Sequence, residues 1–207
     1  MAHGYRAQAS RVTRARPLIL ASASPRRRAL LKALGLSYRI LVPRVRECSA
    51  ARHAHPQQLV RQNARLKAAA AAKQVRRGVV LAADTLVVLG ARIFGKPANR
   101  AAAQRMLQCL SGRTHRVYTA VCLVDVERQR ITCDVAITRV HMRRLSHLEI
   151  AAYLRRAQPW DKAGAYAVQD AGEMLIDRLH GSLSNVVGLP LDVVEHRLRQ
   201  CGVLAAR

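Results

Sequence analysis

Two rhythms of apolar residues run along this chain. Residues 18–21 and 79–89 are nearly unbroken apolar runs, which predicts buried strands. Between them, Leu30, Leu31 and Leu34 recur at helical spacing, as do Leu59, Val60, Ala64 and Lys67. The first helix starts at Ser24-Pro25, an N-cap followed by a proline, and closes at Gly35. A strand over 38–42 follows and ends at Pro43. The second helix covers 56–74, and Arg77-Gly78 ends it.

Beyond the central strand over 79–89, Gly90 and the segment 95–97 mark turns. Residues 98–110 predict a helix, closed by Ser111-Gly112. Residues 117–126 and 131–141 predict paired strands across a polar turn at 127–130. A helix over 146–156 opens on a capping box, Ser146 with Glu149, which accounts for that glutamate without chemistry. A turn over 161–166 leads into a strand through Gln169, with 174–179 as its partner. A last helix begins near Pro190 and ends before Gly202. Strands and helices mix throughout, with no repeat and no linker, so the class is α/β or α+β in one domain over 17–207. Residues 1–16 carry four arginines and no acid; they are expected to be a disordered basic extension.

Charge changes this picture less than its size suggests. The formal charge is +24, from 36 Lys and Arg against 12 Asp and Glu. Such a charge favours anionic partners. The arginines are scattered through nearly every element, however, which fits compositional drift as well as a nucleic-acid surface. With so few acids, one inside an apolar strand stands out. Five widely spaced cysteines without a CxxC pair argue against a disulfide framework and a structural zinc site, and make a reducing cytoplasm the expected home. No apolar run is long enough to span a bilayer.

The candidate chemistry lies at three places. Ser22, Ser24, Arg26 and Arg27 stand where a strand turns into a helix, and free N–H groups and the helix dipole favour a phosphate there. Asp84 interrupts the central strand, where an ionised carboxylate is costly unless a cation or several donors meet it. Paired with Glu47 it offers an oxygen site for Mg²⁺ or Mn²⁺. Lys96, fixed between Gly95 and Pro97, suits a phosphate; Lys67 reads equally as a phosphate contact or a surface lysine. Gln169 offers an amide to a base edge. No GxxxxGK[ST] or GxGxxG pattern is present.

Six segments in order complete a pattern: the run through Ser22-Ala23-Ser24-Pro25-Arg26-Arg27, Ala83-Asp84-Thr85, Gly95-Lys96-Pro97, the segment from Leu110 to His115, the segment from Asp161 to Tyr166, and Val187-Gly188-Leu189-Pro190. Together they resemble the Maf-type nucleoside triphosphate pyrophosphatases, over roughly residues 17–202. The resemblance implies an elongated, two-lobed mixed sheet flanked by helices, with a central cleft, related to the inosine triphosphatases and often a homodimer. It implies metal-dependent hydrolysis of a nucleoside triphosphate to the monophosphate and pyrophosphate. Asp84 would activate water and share the metal with Glu47. Ser22, Ser24, Arg26, Arg27, Lys67 and Lys96 would hold phosphates. Arg26, Thr85 and Gln169 match the dTTP/UTP branch rather than the 7-methyl-GTP branch. Two positions depart from the pattern: Arg46 replaces an acid of the usual VDE loop, and Asp170 replaces a glycine. The rival readings are 7-methyl-GTP as substrate, and a basic nucleic-acid-binding or cell-division regulatory protein.

Overall fold

In the computed structural model, which describes residues 16–48, 55–168 and 174–205, the predicted central strand is β3, Val79–Leu89. The other strands are β1 (Leu18–Leu20), β2 (Arg39–Ile40), β4 (Arg92–Phe94), β5 (Thr114–Asp125), β6 (Arg130–Met142) and β7 (Ile176–His180). They form one mixed sheet in the order β2-β1-β3-β5-β6-β7, with β4 also on β3. β1 runs parallel to β2 and β3, and the remaining pairs are antiparallel. The helices are α1 (Pro25–Ala33), α2 (Pro56–Ala72), α3 (Arg100–Leu110), α4 (His147–Ala157), α5 (Leu183–Val187) and α6 (Leu191–Gln200).

Strand alternation divides the core. On one face, Val80, Ala82 and Leu86 of β3 and Tyr118, Ala120 and Cys122 of β5 pack under Leu59, Val60, Ala64 and Ala68 of α2. On the other face lie two clusters. Val79, Leu81 and Ala83 meet Leu31 of α1 and Val194 and Leu198 of α6. Val87 and Val117 meet Leu107 and Leu110 of α3 and Ile150 and Tyr153 of α4. Small residues along α2 let the helix lie close to the sheet.

One interruption positions the site. β1 accompanies β3 only through Leu20↔Leu81, and β4 joins it only at Val87. Over residues 82–86, therefore, that edge of β3 has no strand neighbour among the described residues. Asp84 and Thr85 sit in this gap, beyond the carboxyl end of β1, where ligands of open α/β sheets bind.

The structure corrects several expectations. β2 is two residues long because the chain leaves the sheet after two parallel register pairs, Ile19↔Arg39 and Leu20↔Ile40. Over the described residues 166–168 no strand forms. Residues 163–165 form a 3-10 turn with Gly164 and Ala165 at positive φ, and the Ala167 N–H donates to Tyr153 Oη rather than to a ladder. β7 pairs instead with β6. α3 begins two residues late because Asn99 caps it, accepting from the Ala102 N–H at 2.8 Å. The cysteine reading is also corrected: Cys122 and Cys133 form a disulfide, with Cα atoms 4.2 Å apart. They are register partners on β5 and β6, a proximity that linear spacing does not reveal. Cys48, Cys109 and Cys201 are free. Residues 1–15 lie outside the described residues, whereas Arg16 is bound to Asp125 at 2.5 Å and Glu127 at 2.7 Å. No helix among the described residues is long and apolar enough to cross a membrane.

Candidate active site

The turn between β1 and α1 forms as its sequence dictates. Ser24 caps the helix and Pro25 opens it. Ser22 Oγ accepts from the Ser24 N–H and from Arg27 Nη1, both at 3.2 Å. Arg27 then reaches across the gap. Its Nε donates to the Gly188 carbonyl at 2.8 Å and its Nη2 to Thr85 Oγ1 at 3.1 Å. Gly188 is required here: its φ is +115°, and a Cβ would stand 3.3 Å from Thr85 Oγ1. Burial pushes the Arg27 guanidinium below its ordinary value, against the pull of Asp84.

The Thr85 hydroxyl has a fixed direction. Thr119 Oγ1 donates to the Asn185 carbonyl at 3.0 Å, so Thr85 must donate to Thr119 Oγ1, also at 3.0 Å. Its lone pairs are left for Arg27. Thr85 and Thr119 fill the seam between the two clusters on that face of the sheet.

Asp84 points to the opposite face, under α2, and is 6% exposed. Lys67 Nζ donates to its Oδ1 at 2.7 Å, and Asn63 Nδ2 to its Oδ2 at 3.4 Å. Lys67 also contacts Glu47 Oε1 at 2.8 Å. One ammonium thus bridges a buried and a half-exposed carboxylate. Burial works to raise the Glu47 carboxyl, but the Lys67 hydrogen bond and charge, with Lys96 and Arg27, bring it below the usual carboxylate range. Of the two readings of Lys67, the surface lysine does not hold.

Lys96 is exposed and has no ion-pair partner among the described residues. Its turn is tied to the 3-10 segment, since the Gly164 N–H donates to the Gly95 carbonyl at 3.0 Å. Gly164 has a φ of +71° and lies against Val87, where a Cβ would approach to 3.2 Å. Arg26 pairs with Asp161 at 3.3 Å, and Asp161 with Lys162 at 2.9 Å.

These groups line one cleft of about 540 Å³. Ser22, Ser24, Arg26 and Arg27 form one wall, Glu47, Lys67 and Asp84 another, and Thr85 and Lys96 also face it. All the predicted site residues are therefore together except Gln169, which lies outside the described residues, as does Asp170. Arg46 is exposed and does not line the cleft. Sequence reading missed Asn63 and Asn185. Asn63 Oδ1 accepts from the Cys48 N–H at 2.8 Å, so it holds the Glu47 loop as well as Asp84. Its signal was its place four residues before Lys67 on a buried helical face. Asn185 is fully buried and donates to the Val117 carbonyl and to Thr138 Oγ1. It had no comparable signal. His115 is buried against Tyr166, its Nε2 2.6 Å from the phenol oxygen.

The arrangement can bind a polyanion at the serine–arginine turn and hold a carboxylate beside it. Glu47 and Asp84 converge on one point, as the shared ammonium demonstrates. No third His, Cys, Asp or Glu among the described residues joins them. Two hard carboxylates with an open side fit Mg²⁺ or Mn²⁺, which fills its shell with waters and substrate phosphates.

Known proteins have similar sequences. The family model described as Maf-like protein matches residues 17–201. A dTTP/UTP pyrophosphatase of Moorella thermoacetica is 48% identical over 186 residues, covering 90% of this chain and 95% of that protein. Those of Syntrophomonas wolfei and Gloeobacter violaceus are 41% identical over 192 residues and 44% over 177. They cover 91% and 86% of this chain, and 96% and 92% of their own lengths.

Proposed function

This chain belongs to the Maf-like protein family, and on that premise we propose that it is a hydrolase that cleaves dTTP and UTP to the monophosphate and pyrophosphate. The observation that carries this reading is the sheet gap. It sets a buried carboxylate, Asp84, beside a cationic turn that Arg27 ties to the next residue, Thr85.

In this reading a triphosphate lies along the cleft. The α1 N-terminus, Ser22, Ser24, Arg26 and Arg27 hold phosphate oxygens from one side, and Lys96 from the rigid turn opposite. Arg26 exchanges Asp161 for a phosphate. Asp84 orients a water for in-line attack on the α-phosphorus and accepts its proton. Pyrophosphate leaves in line, its charge held by the fixed cations; such preorganised electrostatics dominate phosphoryl transfer. Glu47 and Asp84 would hold Mg²⁺ or Mn²⁺, which supplies Lewis acidity at the phosphate. Asn63 keeps the two carboxylates in register.

The test is pyrophosphate release across dTTP, UTP, CTP, GTP and 7-methyl-GTP with Mg²⁺ and with Mn²⁺. Preferred turnover of dTTP and UTP is expected. A preference for 7-methyl-GTP would move the chain to the other branch.

One observation favours a second reading, nucleic-acid binding. On the α2 face beyond the helix, Arg116 and Arg139 are register partners, and Arg139 is also opposite His180. All three are exposed, and neither arginine has an ion-pair partner among the described residues. Like charges directly opposite cost stability, and a phosphate backbone would offset that cost. Steeply salt-dependent oligonucleotide affinity, lost in Arg116→Ala/Arg139→Ala, would support it.

A further inference from the structure

We propose that Lys67 is the resident counter-cation of the Glu47–Asp84 pair: it bars a divalent ion from the free protein, and releases the pair when a triphosphate takes its ammonium. The nucleotide and the ion then enter together. This rests on the metal-dependent reading above.

The geometry leads there in steps. Lys67 Nζ lies 2.7 Å from Asp84 Oδ1 and 2.8 Å from Glu47 Oε1, the same two carboxylates that fit a divalent ion. The free site therefore has a net charge of −1 from these three groups. That is a weak lure for a divalent ion. An ion on those oxygens would also sit at contact range from an ammonium, where repulsion remains substantial even under strong screening. Tight binding needs Lys67 to move.

Lys67 has somewhere to go. It projects into the cleft shared with Ser22, Arg27 and Lys96, the groups that would surround a triphosphate. Its side chain is a flexible stem with a point charge, suited to exchanging partners. The carboxylates do not collapse when it leaves. Asn63, one helical turn earlier, holds Asp84 Oδ2 and both backbone groups of Cys48, next to Glu47. Lys67 is the exchangeable partner and Asn63 the permanent one.

The experiment measures Mn²⁺ binding, by electron paramagnetic resonance of the free ion, on the full chain. Wild type, Lys67→Met and Lys67→Gln are compared, without nucleotide and with a non-hydrolysable α,β-imido analogue of dTTP. Circular dichroism checks the fold of each variant. The wild-type protein is expected to bind Mn²⁺ at this site at least tenfold more tightly once the analogue is present than the protein or the analogue does alone. Either Lys67 variant should bind Mn²⁺ without nucleotide at least about tenfold more tightly than wild type, the loss of one nearby positive charge. Tight stoichiometric Mn²⁺ binding by nucleotide-free wild type overturns the proposal alone. So does a folded Lys67 variant with unchanged affinity. If both variants misfold, the wild-type pair of measurements decides. Absence of Mn²⁺ binding by the protein even with the analogue removes the metal reading of the function and this proposal with it.

Discussion

Arg27 donates from Nη2 to Thr85 Oγ1 at 3.1 Å, joining the start of the first helix to the strand residue beside Asp84. This bond crosses the gap between the end of β1 at Leu20 and the end of β4 at Phe94. Because the Arg27 Nε is fixed to Gly188 and its Nη1 to Ser22, the guanidinium fork is set in three directions at once. The anion-binding turn and the carboxylate therefore hold a fixed separation before substrate arrives.

A lysine cannot reproduce that fork. Arg27→Lys is expected to keep the fold at a cost of about 1–3 kcal/mol in urea unfolding, from hydrogen bonds lost in a buried site. Pyrophosphate release should fall by about two orders of magnitude. Near-wild-type turnover with unchanged stability would contradict the role given to the fork.

Thr85 has its hydroxyl turned to Arg27 and Thr119. Thr85→Val should lower turnover of every nucleotide in parallel, and lower stability by about 1–2 kcal/mol. Thr85→Ser should restore most of both. A changed ratio of dTTP to 7-methyl-GTP turnover would instead give Thr85 a direct part in base selection.

Asn63 supports both carboxylates without facing substrate. Asn63→Leu keeps the volume and removes the hydrogen bonds to Cys48 and Asp84. The expected result is a folded protein with kcat reduced about tenfold and KM for the nucleotide nearly unchanged, the pattern of lost positioning. Steady-state kinetics with melting curves check it; an unchanged kcat would reduce Asn63 to packing.

Burial, with the charge of His141, lowers the His115 imidazole to about 4. The unfolded chain binds that proton near pH 6.5 and the folded chain does not. Stability from this group is therefore complete above pH 6.5 and declines as pH falls toward 4, by up to about 3 kcal/mol. Asp125 acts at lower pH. The Arg16 hydrogen bond holds its carboxyl well below the usual range, so its contribution is present above about pH 4 and lost below. Urea unfolding from pH 4 to 7 should show the first loss, and His115→Gln should flatten it. An equal slope in that variant would assign it elsewhere.

Much of the site was legible because its parts are local. The Ser24 cap, the Pro25 start and the apolar run around Asp84 are written in consecutive residues, and the structure places them as read. The gap in the sheet was not legible, because it depends on where β1 stops against β3. The disulfide between Cys122 and Cys133 and the Asn185 hydrogen bonds depend likewise on register between distant segments. The strand expected to leave the 161–166 turn misled for a different reason. Ala167 and Val168 are apolar enough to begin one, but the Ala167 N–H donates to the Tyr153 hydroxyl rather than to a ladder. Lys67 fell between, since helical spacing put it on the buried face and only the fold supplied its two carboxylates.

The most direct measurement is pyrophosphate release from dTTP and UTP by Asp84→Asn, with Mg²⁺ supplied and the fold checked by circular dichroism. Asn keeps the shape and can still bond Asn63, but it cannot accept a proton from water. A loss of about two orders of magnitude or more in kcat is expected, the scale of a missing general base, with the fold intact. Turnover at the wild-type rate by the folded variant would contradict the assignment of Asp84 to the reaction.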